Sequence, residues 1–151
     1  MTSRRKVLQQ SLAVGTSLAA TGLFPQFAWA FNKSAFDAKH INEAIAALGG
    51  TLPVPSKEVS LTAPDMAENG AVVPLSIATT LVGVKQLVLL VEKNPSALVT
   101  VFHLSEAVEP NLSTRVKMAQ TSDVYAVAIM NDGKALFARK EVKVTLGGCG
   151  Q

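Results

Sequence analysis

Hydrophobic residues recur at every second position through most of the chain from Val59 onward, and this alternation restricts the fold more than any other feature. It predicts seven strands, at about 59–62, 72–79, 85–91, 98–104, 112–118, 123–130 and 135–146. Leu112, Thr114 and Val116, for example, alternate with the polar Ser113 and Arg115. Because no helical pattern of ten residues separates the strands, we predict an antiparallel β-sandwich of immunoglobulin-like type rather than an α/β sheet.

Two local patterns refine this prediction. Residues 87–91 are continuously apolar, which is typical of a central strand, and Asn131-Asp132-Gly133 suits a tight hairpin between the last two strands. Before the strands, an apolar stripe predicts one helix over about 34–48, with Ser34 as its cap and Gly49-Gly50 at its end.

The first 30 residues have the pattern of an export signal. Arg4, Arg5 and Lys6 precede an apolar stretch over about 12–23, and Ala28-Trp29-Ala30 has the spacing of a cleavage site. The stretch is too short and too rich in small residues for a membrane anchor. The adjacent arginines favour the twin-arginine route, which carries folded proteins, over a general secretory signal. We therefore expect export to the periplasm, with no membrane attachment.

Removing this leader changes the charge of the protein. The full chain has 14 Lys+Arg and 11 Asp+Glu, a net charge of +3, but residues 1–30 hold three of the cations and no acid. The predicted domain, residues 31–146, and the five residues after it are therefore neutral together. With only 5% aromatic and 17% charged residues, the sequence argues against nucleic-acid binding.

Few residues suggest catalysis or a cofactor. One cysteine and two histidines make a zinc site of Cys and His ligands improbable, and neither a dinucleotide fingerprint nor a phosphate-binding glycine loop is present. Ser76, His103 and Asp123 lack the motif of a catalytic triad. We expect no cofactor. Glu68-Asn69-Gly70 predicts a turn, with a partner-contacting loop as the alternative.

The last five residues, 147–151, are the exception. Gly147, Gly148 and Gly150 surround Cys149, the only cysteine, after the alternation of the last strand has ended. Glycines leave the backbone free to turn and make the tail narrow. Three extended residues beyond Leu146 place the thiol roughly 10 Å from the strand end. This pattern indicates a flexible arm that presents a thiol, and not a rigid catalytic cysteine.

A leader with paired arginines, a β-rich domain and a terminal Gly147-Gly148-Cys149-Gly150 together resemble the SoxY family of the periplasmic thiosulfate-oxidising system. The resemblance includes residues 68–74, Glu-Asn-Gly-Ala-Val-Val-Pro. Family members typically end in Gly-Gly-Cys-Gly-Gly, whereas this chain ends in Gln151.

The resemblance implies a carrier that is not itself an enzyme. Cys149 would be the covalent attachment site for thiosulfonate and sulfane groups. The implied partners are SoxZ, a small β-sandwich subunit that forms a heterodimer with the carrier, a haem cytochrome, a sulfate-releasing hydrolase and, in related systems, a sulfane dehydrogenase.

Two other functions remain open on the residues alone. The chain could be an immunoglobulin-like binding or assembly module that is crosslinked through Cys149. It could also be a periplasmic thiol redox protein, although no second cysteine is present to resolve a disulfide.

Overall fold

The computed structural model describes residues 32–145 of the 151-residue chain. Within these residues two short helices precede the strands, α1 (Lys33–Asp37) and α2 (Ile41–Ala47). Nine strands follow within the described residues: β1 (Val54–Pro55), β2 (Val59–Thr62), β3 (Met66–Ala67), β4 (Val73–Thr79), β5 (Val84–Val91), β6 (Leu98–His103), β7 (Asn111–Val116), β8 (Ser122–Met130) and β9 (Ala135–Val144).

The strands form two sheets that pack face to face. The larger sheet has the order β1-β9-β8-β5-β6, with β3 also paired to β9, and the smaller has the order β2-β4-β7. All pairs are antiparallel except β1 with β9 and β3 with β9. The predicted β-sandwich is therefore confirmed, and each predicted strand begins within one residue of its prediction.

The larger sheet is buried on both faces. Between the sheets lies a core that includes Leu75, Ile77, Leu87 and Leu89. The opposite face of the same sheet packs against the two helices through a second core, which includes Ile45 and Val88. This double burial explains why residues 87–91 are continuously apolar, since that part of β5 is buried on both faces.

The prediction of one continuous helix over 34–48 was wrong, because this segment forms two helices. Ala38 is extended, with φ −63° and ψ 131°, and separates α1 from α2. The break is stabilised by a hydrogen bond from the loop between β5 and β6: Ala97 N–H donates to the carbonyl of Ala38 at 3.2 Å. The cap also differs, because Asn32, and not Ser34, accepts the N–H of Ala35 at 3.1 Å.

The predicted hairpin joins β8 to β9 as expected. Gly133 has φ +89°, the left-handed conformation that glycine adopts without strain. Its N–H donates to Met130 O at 3.0 Å, and Asp132 Oδ1 accepts the N–H of Lys134 at 3.0 Å. The strands β1 and β3 were not predicted, since each has two residues and neither shows a period.

Candidate functional site

The predicted sulfur-attachment residue Cys149 lies outside the described residues, as do Gly147, Gly148 and Gly150 of the arm. Residues 1–30, the predicted leader, also lie outside them. Strand β9, however, ends at Val144, five residues before Cys149. The residues packed around Val144 therefore hold the place where the predicted arm leaves the domain. We call this region the arm base; it comprises residues 65–72, Met118, Thr121 and residues 143–145.

Backbone hydrogen bonds hold the end of β9 on two sides. On the side of β3, Lys143 N–H donates to Asp65 O at 3.0 Å and Thr145 N–H donates to Ala67 O at 3.1 Å. On the other side, Val144 N–H donates to Thr121 Oγ1 at 2.9 Å. Three consecutive amides are thus paired, so the chain is fixed up to the last described residue.

The turn over residues 68–72 completes the arm base. Asn69 Oδ1 accepts the N–H of Ala71 at 2.9 Å, which closes the turn, and Gly70 O accepts the N–H of Met118 at 2.7 Å. A Cβ on Gly70 would lie 2.5 Å from Met118 O and 2.9 Å from Val144 Cγ1. Glycine is therefore required here because two other segments approach its backbone closely. The sequence predicted the turn, but not this packing.

An ion pair fastens the segment before β3 to β9. Lys140 Nζ lies 2.8 Å from Asp65 Oδ1, and it also donates to the carbonyl of Ala63. The hydrogen bond and positive charge of Lys140 lower the pKa of the Asp65 carboxyl below its ordinary value. Lys140 thereby holds residues 63–65 in the position from which β3 pairs with the end of β9.

The arm base also presents apolar surface. The side chains of Met66 and Val72 are 56% and 52% exposed. They lie on β3 and beside the turn, where the exposed Lys143 and Glu68 add charges of both signs. Exposed methionine and valine beside mixed charges suit contact with another protein surface better than a small polar ligand.

The other residues that were weighed for catalysis do not form a site. Ser76 Oγ pairs with Ser113 Oγ at 2.8 Å, His103 Nδ1 contacts Gln86 Nε2 at 3.4 Å, and Asp123 pairs with Arg139 at 3.5 Å. Each thus has a different partner. Within residues 32–145, no cluster of three His, Cys, Asp or Glu side chains could hold a metal ion. Over the same residues, no helix has the length and hydrophobicity needed to cross a membrane.

A family model for the sulfur oxidation protein SoxY matches residues 45–149. The chain belongs to the SoxY family. The matched region includes the turn at the arm base, strand β9 and Cys149, so the single cysteine of this SoxY-family chain is the last residue of the matched segment.

One solved structure supports the family assignment, and two more distant ones share the fold. The sulfur carrier protein SoxY from Chlorobium limicola f thiosulfatophilum is 36% identical, with a TM-score of 0.63, and the match covers 70% of this chain and 96% of that one. Two variants of superoxide reductase (neelaredoxin) from Ignicoccus hospitalis share the fold. One variant is 18% identical with a TM-score of 0.52, covering 68% and 87% of the two chains, and the other is 17% identical with 0.51, covering 58% and 79%. A search of curated proteins found no significant match.

Proposed function

We propose that this SoxY-family chain is a covalent carrier of sulfur intermediates, which are bound to Cys149 and presented to partner enzymes. The observation that carries the proposal is the position of the chain's single cysteine, five residues beyond the end of β9 and inside the family match. The related protein from Chlorobium is itself described as a sulfur carrier.

The chemistry requires only a thiol from the carrier. Joining thiosulfate to Cys149 forms a sulfur–sulfur bond, releases the thiol proton and passes two electrons to an acceptor, the haem cytochrome. Hydrolysis by a second enzyme then transfers the terminal sulfone to water as sulfate and leaves one sulfane sulfur on Cys149. A sulfane dehydrogenase would oxidise that sulfur. The carrier supplies no catalytic group to any of these steps, so we propose that it is not an enzyme.

The arm supports delivery to several enzymes. We propose that residues 147–151 form the arm and that Gly147, Gly148 and Gly150 let it enter a narrow pocket. Four residues beyond Thr145 extend at most roughly 14 Å. Partner enzymes therefore have to contact the domain around the arm base, where Met66 and Val72 are exposed.

We also propose that the carrier is a periplasmic heterodimer with a SoxZ subunit and that residues 1–30 are a twin-arginine leader. A leaderless partner could be exported with the folded carrier by that route. Changing Arg4 and Arg5 together to Lys would retain the positive charge but block this route. The expected result is accumulation of uncleaved protein in the cytoplasm, and export at the normal level would contradict the proposal.

Mass spectrometry of the intact protein tests the carrier function. After incubation with thiosulfate, the cytochrome and oxidant, we expect a thiosulfonate adduct that maps to Cys149 and that the hydrolase shortens to a sulfane adduct. Cys149→Ser should carry no adduct and should unfold at the same temperature as the unchanged protein. Disulfide-linked dimers without sulfur adducts would instead support an assembly module that is crosslinked through Cys149.

A further inference from the structure

Asn69 directly precedes Gly70 in the turn of the arm base, so a side-chain amide stands next to an unhindered main-chain nitrogen. A main-chain nitrogen can attack the side-chain carbonyl carbon of the preceding asparagine and close a five-membered ring. A side chain on the following residue hinders this attack, and glycine has none. Of the six asparagines in the chain, Asn69 is the one that precedes glycine.

The nitrogen of Gly70 is free to react. Its N–H has no hydrogen bond within residues 32–145, whereas the next two amides, of Ala71 and Val72, donate to Asn69 at 2.9 and 3.3 Å. An amide nitrogen attacks only after it has lost its proton, and a proton held in a hydrogen bond is lost less readily. The nucleophile is therefore the unprotected amide of this turn.

The side chain of Asn69 is held in an arrangement that favours the same reaction. Its Oδ1 accepts the N–H of Ala71 at 2.9 Å, and this bond closes a ring that contains both the attacked carbon, Cγ, and the Gly70 nitrogen. The bond keeps the two reacting atoms near each other and draws electrons from Cγ toward Oδ1. The leaving group, Nδ2, has no hydrogen bond within the described residues, and Asn69 is exposed to water.

We propose that Asn69 is a site of spontaneous modification, at which the turn converts itself to aspartyl and isoaspartyl forms. The Gly70 nitrogen bonds to Asn69 Cγ, the Cγ–Nδ2 bond breaks, and Nδ2 leaves as ammonia with the proton from Gly70. Water then adds to one of the two ring carbonyls and breaks its bond to nitrogen, which regains a proton. Opening at the side-chain carbonyl gives aspartate. Opening at the main-chain carbonyl gives isoaspartate, in which the main chain runs through Cβ and Cγ.

The isoaspartyl form does not fit the arm base, because it adds one carbon atom to the main chain immediately before Gly70. Gly70 O accepts the N–H of Met118 at 2.7 Å, and a Cβ on Gly70 would lie 2.5 Å from Met118 O and 2.9 Å from Val144 Cγ1. The longer main chain therefore displaces Gly70 and loosens the contact that holds the end of β9. The aspartyl form keeps the main chain and the acceptor for Ala71 N–H, and it only adds a negative charge beside Glu68.

Incubation of the full chain in mildly alkaline buffer tests the chemistry. Peptide mapping by mass spectrometry should show replacement of NH₂ by OH, a gain of about 1 Da, at Asn69. Asn131 is the matched control, because it is also exposed in a turn but is followed by Asp132. We expect Asn69 to react at least about tenfold faster than Asn131, since glycine leaves the nitrogen unhindered. The rate should rise with pH, and equal rates at the two sites would overturn the proposal.

The same chain denatured in urea separates a reaction of the folded turn from one that requires unfolding. Because the turn holds Cγ near the nitrogen, Asn69 in the folded protein should react at a rate no lower than about one third of that in the denatured chain. A lower folded rate would mean that the fold protects Asn69, which contradicts the proposed role of the turn.

The structural consequence has its own measurement. The isoaspartyl form can be recognised with an isoaspartyl methyltransferase, which methylates its new carboxylate, and then separated by ion-exchange chromatography. We expect it to melt at a lower temperature than the unchanged protein and to exchange the amide proton of Met118 at least about tenfold faster. Asn69→Asp, which has the normal main chain, should match the unchanged protein in both. An isoaspartyl form that melts and exchanges normally would overturn the loosening of the arm base.

The inference does not rest on the carrier function. Cys149→Ser should be modified at Asn69 at the same rate as the unchanged protein, and a different rate would overturn the assignment of Gly70 nitrogen as the nucleophile. Asn69→Ser keeps an acceptor for Ala71 N–H but cannot form the ring. It should therefore stay unmodified at residue 69 while it still carries sulfur adducts on Cys149, so failure of either proposal leaves the other testable.

Discussion

The hydroxyl of Thr121 accepts the backbone N–H of Val144 at 2.9 Å, so a side chain holds the last residue of β9 on the side away from β3. Replacing Thr121 with Val would preserve the shape of the side chain but leave this amide without its partner. We expect a loss of about 1–2 kcal/mol in the free energy of unfolding. Thermal denaturation would measure the loss, and amide exchange at Val144 should become faster.

Thr114 supplies the matched control. It is half-buried on β7, and its hydroxyl has no hydrogen bond within residues 32–145. Thr114→Val should therefore change stability by less than about 0.5 kcal/mol. An equal loss in both variants would mean that Thr121 does not act through its bond to Val144.

Gly70→Ala should lower the stability of the protein, because the added methyl group would collide with other parts of the arm base. The new Cβ would meet the carbonyl oxygen of Met118 and the side chain of Val144, at 2.5 and 2.9 Å, and a backbone carbonyl has little room to move. The expected loss of stability is about 1–3 kcal/mol. Circular dichroism melting would measure it, with the exposed neighbour Ala71→Ser as a control that should melt normally.

In the structure the side chain that caps α1 belongs to Asn32, whereas the sequence predicted Ser34 as the cap. Asn32 Oδ1 accepts Ala35 N–H at the start of α1, while its Nδ2 donates to Ala47 O at the end of α2, at 2.6 Å. One side chain thus joins both helices. Asn32→Ala should cost about 1–2 kcal/mol in urea denaturation, whereas Ser34→Ala, at an exposed site, should cost almost nothing. A larger loss of stability in Ser34→Ala than in Asn32→Ala would instead support the predicted cap at Ser34.

The Asp65–Lys140 pair should give a small, pH-dependent stabilisation. Because Lys140 lowers the pKa of Asp65 in the folded protein, the ionised carboxylate favours folding above the unfolded pKa, and the benefit is lost as the pH falls through the lower folded value. The protein should melt higher than Asp65→Asn at pH 7, and the difference should shrink as the pH falls below the ordinary aspartate pKa of about 3.9. Since Asp65 is exposed, about 1 M salt should also reduce the difference. A difference that persists at low pH would contradict this account.

The strands were predictable because a strand with one buried face alternates apolar and polar residues, and this pattern can be read within a few neighbouring residues. The interruption at Ala38 was not predictable, since it depends on an N–H from Ala97, about 60 residues away along the chain. At the arm base, the turn at Asn69 was visible in the sequence. The contact between Gly70 and Val144 was not, because it joins residues that are 74 positions apart along the chain (144 − 70).

The two-sided pairing of β9 has a mechanical consequence. Strand β9 is hydrogen-bonded to β8 on one side and to β1 and β3 on the other. Under the proposed function, an enzyme that bound the arm could exert a force on the C-terminal end of β9 along the strand axis. Tension in this direction loads many hydrogen bonds in shear at once, whereas a pull across the strand would peel them apart singly. A strand held in this way resists being drawn out of the sheet by a force applied at its C-terminal end.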